Sequence, residues 1–302
     1  MTTIERFGWR GGAEAGIGRV VGSHGDYYHV VCDEAEGVIV ARKKKGAWKA
    51  PAGGDARVGR DDAASGGYVK TARPVRSGTY CPPNPVTGDF VRFRYNPHGE
   101  SLITELLPRR SHFERKDPTA KRKAQTLAVN FDTLFVMMSL NEDFSTARID
   151  RYLALAEDMG EAEAVVVVTK ADLRQEGDEE FLDELRETVA GRARIIEMSA
   201  LTGEGMDAVR EYVKPGATVA FIGSSGVGKS TLLNTLAGER LAATQEIQEW
   251  SGRGRHTTTS RDLLMLPSGA MVIDTPGIRE IGMLGERDEI RAKGVSTHRW
   301  RK

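Results

Sequence analysis

Eight consecutive residues, Gly223, Ser224, Ser225, Gly226, Val227, Gly228, Lys229 and Ser230, fit the phosphate-loop pattern: Gly, four residues of any kind, Gly, Lys, then Ser or Thr. Thr231 follows directly. Polyphosphate chemistry calls for these residue types in this order. Glycines remove Cβ atoms, so successive backbone N–H groups can turn inward on an anion at the positive end of the next helix. Lys229 is placed to reach the β- and γ-phosphates, and the Ser230 hydroxyl to ligate Mg²⁺. Nucleotide binding is the prediction.

Four further stretches carry compatible chemistry. Thr169, Lys170, Ala171 and Asp172 resemble the guanine motif in which Asn or Thr is followed by Lys, any residue and Asp. The Asp172 carboxylate would accept from N1–H and the 2-amino group of guanine, an edge that adenine lacks, while the Lys170 stem lies against the base. A site built on such pairing rejects the wrong base by roughly 10⁴-fold. Thr169 stands where Asn is commoner, so the hydrogen bond that tethers this loop is expected to be weaker. Ser199 and Ala200 resemble the loop whose backbone N–H meets guanine O6. Asp274, Thr275, Pro276 and Gly277 form an Asp-x-x-Gly element, with Asp274 placed to hold Mg²⁺ through water and the Gly277 N–H near the γ-phosphate. Ahead of it, residues 252–259 include His256, Thr257 and Thr258, and one of these threonines could join the Mg²⁺ shell, which makes the loop a switch.

The elements that must position these residues alternate between strand and helix. Strands are predicted at 133–139, 164–169, 194–198, 218–222, 261–266 and 270–273. Ile149, Tyr152, Leu153, Ala156 and Met159 share one helical face, and Phe181, Leu182, Leu185 and Val189 another. The run Val165, Val166, Val167, Val168 suits a strand covered on both sides. The class is α/β with a mainly parallel sheet, each motif falling at a strand end. The order is unusual, because the base motif and Ser199 precede the phosphate loop. The same sheet forms if the termini are joined and reopened after the Asp-x-x-Gly element, which is a circular permutation.

Upstream, residues 17–21, 27–32, 37–41, 89–95 and 101–107 are short β-rich segments between Gly, Pro and Asn clusters, as in a small all-β barrel. Residues 43–85 read as a long flexible insertion. Residues 1–125 carry 22 basic and 14 acidic side chains and the remainder 21 and 29, so the first part suits a polyanionic partner. Arg42, Lys43, Lys44 and Lys45 lie near Trp48, a combination that can hold phosphates and stack on unpaired bases; a solvated loop is the plainer reading. The charged stretch 108–116 reads as a solvated linker or an added RNA contact. Cys32 and Cys81 support neither a disulfide framework nor a zinc cluster. No signal peptide or membrane span is read, and a cytoplasmic protein is expected.

Barrel, TKAD, SALTGEG, GSSGVGKSTLLN, GRGRHTTT and DTPGIRE in this order resemble the ribosome small-subunit-dependent GTPase A (RsgA) family of circularly permuted GTPases, over residues 17–284. The resemblance implies an OB-fold in 1–112, a permuted GTPase domain in 113–285, GTP/GDP and Mg²⁺ as ligands, and the small (30S) ribosomal subunit and its rRNA as partners of a monomer. It implies GTP hydrolysis stimulated by that subunit during its maturation. Ile278 stands where Ras-like enzymes orient water with Gln, and His256 is the substitute that the resemblance suggests, beside Lys229 and Asp274 as catalytic groups. Unassisted turnover is expected to be slow, on the order of 10⁻⁴ s⁻¹. A charged tail, 286–302, is expected in place of the family's zinc-binding domain, and no zinc is expected, since His298 alone cannot hold it. Two rival readings are a GTP-gated RNA-binding module with little turnover and a P-loop ATPase of small-molecule metabolism.

Overall fold

The computed structural model describes residues 1–12, 14–44, 84–115, 125–140, 144–238 and 262–273. Strands β1 (Ile17–His24), β2 (Tyr27–Cys32), β3 (Val38–Lys43), β4 (Phe90–Arg94) and β5 (Ser101–Leu106) close a barrel in the order β1-β2-β3-β5-β4, with β4 pairing back onto β1. This is an OB-like barrel, and its interior is filled by Val20, Tyr28, Val30, Ala41, Val91, Phe93 and Ile103. Alternation along β1 gives its two faces different work. Val20 joins the barrel interior, whereas Ile17 packs with Ile4, Phe90 and Leu107 in a separate cluster. Ile4 comes from α1 (Thr3–Arg6), a single turn held by a capping box between Thr2 and Glu5.

The charged stretch expected as a solvated linker is instead partly buried and structured. It contributes β6 (His112–Arg115), which pairs antiparallel with β7 (Gln125–Val129). Arg109 grips the fully buried Asp89 carboxylate with Nε at 2.8 Å and Nη2 at 2.9 Å. Burial raises the Asp89 carboxyl above its ordinary range, and Arg109 opposes that shift. Arg110 reaches Asp132 at 3.3 Å. A run of charge here stitches barrel to sheet.

The second body is built from β8 (Thr133–Ser139), α2 (Thr146–Ala156), β9 (Glu163–Thr169), a 3₁₀ turn (Ala171–Leu173), α3 (Asp178–Val189), β10 (Arg194–Glu197), α4 (Met206–Arg210), β11 (Thr218–Gly223), α5 (Lys229–Ala237), β12 (Leu263–Met265) and β13 (Met271–Ile273). Its strands lie in the order β10-β9-β8-β11-β13-β12, and β12 alone runs antiparallel. Helices cover both faces. Leu134, Val136, Val166 and Val168 pack against Ile149, Tyr152 and Leu153 of α2 and Leu182 and Leu185 of α3. Phe135, Met137, Val165 and Val167 meet Met206 and Val209 of α4 and Leu232 of α5. That double cover explains why the central strands are apolar without alternation. Among the described residues, no helix is long and apolar enough to cross a membrane.

Candidate nucleotide-binding site

The phosphate loop leaves β11 at Gly223, against β8. A Cβ there would lie 2.7 Å from the Met137 carbonyl oxygen, so the close approach requires glycine. Gly228, at φ 97°, ends the loop and sits at the N-cap of α5 without a side-chain cap. The first-turn N–H groups of α5, including those of Ser230 and Thr231, are thereby left for an anion. Val227 is buried in the core below, which pins the loop, while Ser225 and Gly226 form its exposed crest. Lys229 Nζ donates to the Gly223 and Ser224 carbonyls, at 2.7 Å each, so the ammonium is held within the loop.

The base corner follows β9. Lys170 adopts a left-handed conformation, φ 60°, that a non-glycine residue holds at a cost of about 1–3 kcal/mol. This turn throws the chain into the 3₁₀ segment bearing Asp172. The Ala171 N–H donates to the Met198 carbonyl at 3.1 Å, which latches the turn onto the strand end of β10. Ser199 Oγ donates to Asp172 Oδ1 and accepts from the Leu201 and Thr202 N–H groups, both at 3.2 Å. Ser199 thus orients the carboxylate, and Ala200 follows it at the same rim.

The two corners are physically joined. Thr169 Oγ1 donates to the Val227 carbonyl of the phosphate loop at 2.6 Å, with Met138 O at 3.2 Å as the alternative acceptor. Only β8 separates β9 from β11, so their ends lie about 10 Å apart, about the span from a purine to its phosphates. Because these strands are parallel, Thr169, Glu197, Gly223 and Ile273 end at one edge, where such sheets take ligands. Thr169 supplies a tether although it is not Asn. Thr169→Val should leave Val227 O without its partner, cost about 1–3 kcal/mol in urea unfolding, and weaken GTP binding by roughly tenfold.

Thr169, Lys170, Ala171, Asp172, Ser199, Ala200 and the whole stretch 223–231 therefore gather at one rim. His256, Thr257, Thr258, Asp274 and Gly277 lie outside the described residues, as do Trp48, Cys81 and residues 286–302. Among the described residues, no group of three or more His, Cys, Asp or Glu is arranged to hold a metal. The latch from Ala171 to Met198 and the tether to Val227 escape sequence reading, since their acceptors are backbone carbonyls that leave no mark on residue type.

A base corner made before the phosphate loop on the same sheet, behind an OB-like barrel, defines a circularly permuted P-loop GTPase fold. The family model described as RsgA GTPase matches residues 106–284, more than half of the chain. The chain belongs to the RsgA GTPase family. The small ribosomal subunit biogenesis GTPase RsgA of Leptospira interrogans is 40% identical over 205 residues, covering 68% of this chain and 56% of that protein. RsgA 2 of Lactiplantibacillus plantarum is 37% identical over 268 residues, covering 88% and 66%. The chain spans little more than half the length of the first of these relatives. Among solved structures, YjeQ from Thermotoga maritima is 27% identical with a TM-score of 0.57, over 86% of this chain and 74% of that one. YloQ, a circularly permuted GTPase, is 20% identical with a TM-score of 0.50, over 88% and 73%, a likeness of fold.

Proposed function

We propose that this chain hydrolyses GTP as a maturation factor of the small ribosomal subunit, working as a cytoplasmic monomer. The observation that carries the reading is the Thr169 bond to Val227, which locks a guanine-type corner onto a phosphate loop. The relatives are small ribosomal subunit biogenesis GTPases, which supports that subunit as the partner. Asp172, oriented by Ser199, selects guanine; Lys170 lines the base. The N–H groups of residues 224–231 and the Lys229 ammonium take up charge that develops on the β- and γ-phosphates during attack by water. An ammonium and a row of helix-terminal donors suit a polyphosphate, and the Ser230 hydroxyl at the exposed start of α5 suits Mg²⁺. Ser230, Thr258 and, through water, Asp274 would hold that ion, which neutralises phosphate charge when bound. On the same reading the Gly277 N–H would meet the γ-phosphate, Thr257 would join the switch, and His256 would orient the attacking water.

The barrel face supports rRNA as the contact. Tyr27, Val40 and Tyr95 are exposed, the Arg42 guanidinium lies 4.3 Å from the centroid of the Tyr27 ring, and Arg94 and Lys44 are exposed beside them. Aromatic planes interleaved with cations bind unpaired bases and backbone together. The test is steady-state turnover with and without purified small subunits. GTP hydrolysis should rise at least tenfold on addition, as partner-ordered switches in this chemistry give about 10³-fold or more. Unchanged turnover, or ATP competing equally with GTP, would remove the reading.

A further inference from the structure

Arg19 lies on β1 with no solvent exposure. Its Nη1 faces Phe7 O at 2.6 Å, Thr218 Oγ1 at 3.0 Å and Met271 Sδ at 3.2 Å; Nη2 donates to Asn130 O at 2.8 Å and Nε to Gly88 O at 3.3 Å. The guanidinium also lies 4.9 Å from the Phe90 ring centroid. These partners divide evenly. Phe7, Gly88 and Phe90 belong with the barrel, while Asn130, Thr218 and Met271 belong with the sheet.

Two of the sheet partners have a particular place. Thr218 is the first residue of β11, which ends in the phosphate loop, and Met271 is the first of β13, whose last residue immediately precedes Asp274 in the chain. One desolvated cation therefore holds the roots of the two strands whose tips carry triphosphate chemistry. The strand between root and tip is stiff and about 17 Å long for β11. Burial lowers the Arg19 pKa, to about 9, with Asp132 and Asp89 opposing from a distance. All five hydrogen-bond acceptors are neutral. Sliding the barrel within a joint still closed to water would leave the charge or these acceptors buried without partners, so the two bodies move together.

Two neighbours reinforce the joint. Asn130 is held at φ 51°, a left-handed strain, and its side chain donates to Gly88 O at 3.1 Å and accepts from Arg110 N–H at 2.9 Å. Further along β1, Gly22 forms an antiparallel bridge with Asp262, three residues past Thr259 of the switch sequence. The same barrel strand thus touches β11, β13 and the segment that follows the switch threonines.

We propose that Arg19 is a positioning residue that couples occupancy of the barrel face to the state of the nucleotide site, through the roots of β11 and β13. This rests on the reading above for the identity of the barrel's partner. Coupling is reciprocal: the nucleotide that alters strand-tip geometry alters barrel affinity by the same factor.

The experiment is co-sedimentation of the full chain with purified small ribosomal subunits, in a β,γ-imido GTP analogue and in GDP. For the unaltered chain the two affinities should differ by about tenfold or more, within the usual 5–150-fold range of coupling. Arg19→Lys keeps the charge but has too few donors to span the joint, and Thr218→Val removes one acceptor on the sheet side alone. Both should compress the ratio to less than about threefold, with subunit-free GTP turnover within about twofold of the unaltered chain. If Arg19→Lys fails to fold, Thr218→Val carries the test. Cooperatively melting variants that keep the full ratio overturn the proposal, as do variants that weaken both affinities by one common factor, the mark of simple glue. An unaltered chain with a ratio of one overturns it too. Absence of subunit binding in either state counts against the functional reading instead. Coupling is then read by hydrogen exchange: the GTP analogue must slow β1 amides in the unaltered chain and not in Arg19→Lys, and no slowing in the unaltered chain overturns it.

Discussion

Asp172→Asn is expected to exchange guanine for xanthine as the preferred base. Guanine offers two donors, N1–H and the 2-amino group, and a carboxylate accepts both. Ser199 Oγ already donates to Asp172 Oδ1. A carboxamide in this place keeps its oxygen on Ser199 and turns its NH₂ toward the base. That group opposes the guanine 2-amino donor but matches the carbonyl that xanthine carries at the same carbon. GTP affinity should fall by roughly 10³-fold or more, and XTP affinity should rise to within about tenfold of the original GTP value, read by competition calorimetry. Equal losses for GTP and XTP would mean that Asp172 supports the turn and does not read the base.

Lys229→Ala should give the largest loss of turnover. The ammonium sits between the Gly223 and Ser224 carbonyls, where a triphosphate threading the loop would meet it directly. Its removal deletes a charge-assisted donor from a low-dielectric cradle, a type of loss worth about 10²–10³-fold in rate for one donor. Single-turnover hydrolysis at saturating GTP should drop by at least that factor, with a weaker GTP affinity. Lys229→Arg should not restore it, since a planar fork cannot occupy the space between two carbonyls that a compact ammonium fills. Full activity in either variant would show that the loop binds phosphate through backbone N–H groups alone.

Much of this site is legible in the sequence because its chemistry fixes both residue type and spacing. Glycines at 223 and 228, Lys229 and Asp172 have few substitutes for what they do, and the apolar runs of β8, β9 and β11 follow from a sheet covered on both faces. Legibility ends where one residue type serves two ends. Arg109 and Arg110 belong to a charge run that resembles a solvated linker, yet Arg109 pairs with the buried Asp89 of the barrel and Arg110 with the partly buried Asp132 beside the sheet. Arg19 gives a faint signal, a cation sharing a strand face with Ile17, but its acceptors lie 12 to 252 residues away in the chain, four of them 69 or more. Pairing of β6 with β7 is also hidden, because a charged nine-residue stretch, 116–124, stands between them in place of a short hairpin loop. Thr169 shows the converse case, where a shorter side chain serves because the loop comes to it.

Permutation also shapes how the protein is born. Translation completes β8, β9 and β10 before β11 begins, yet β11 belongs between β8 and β13. A nascent chain at that stage holds β8, every residue of it destined for burial, with one bare edge. Such an edge is a template for pairing with another polypeptide. Guanine nucleotide acts as a folding ligand only on the finished pocket. A polypeptide stalled short of residue 218 is therefore sticky in a way that no concentration of GTP can cure.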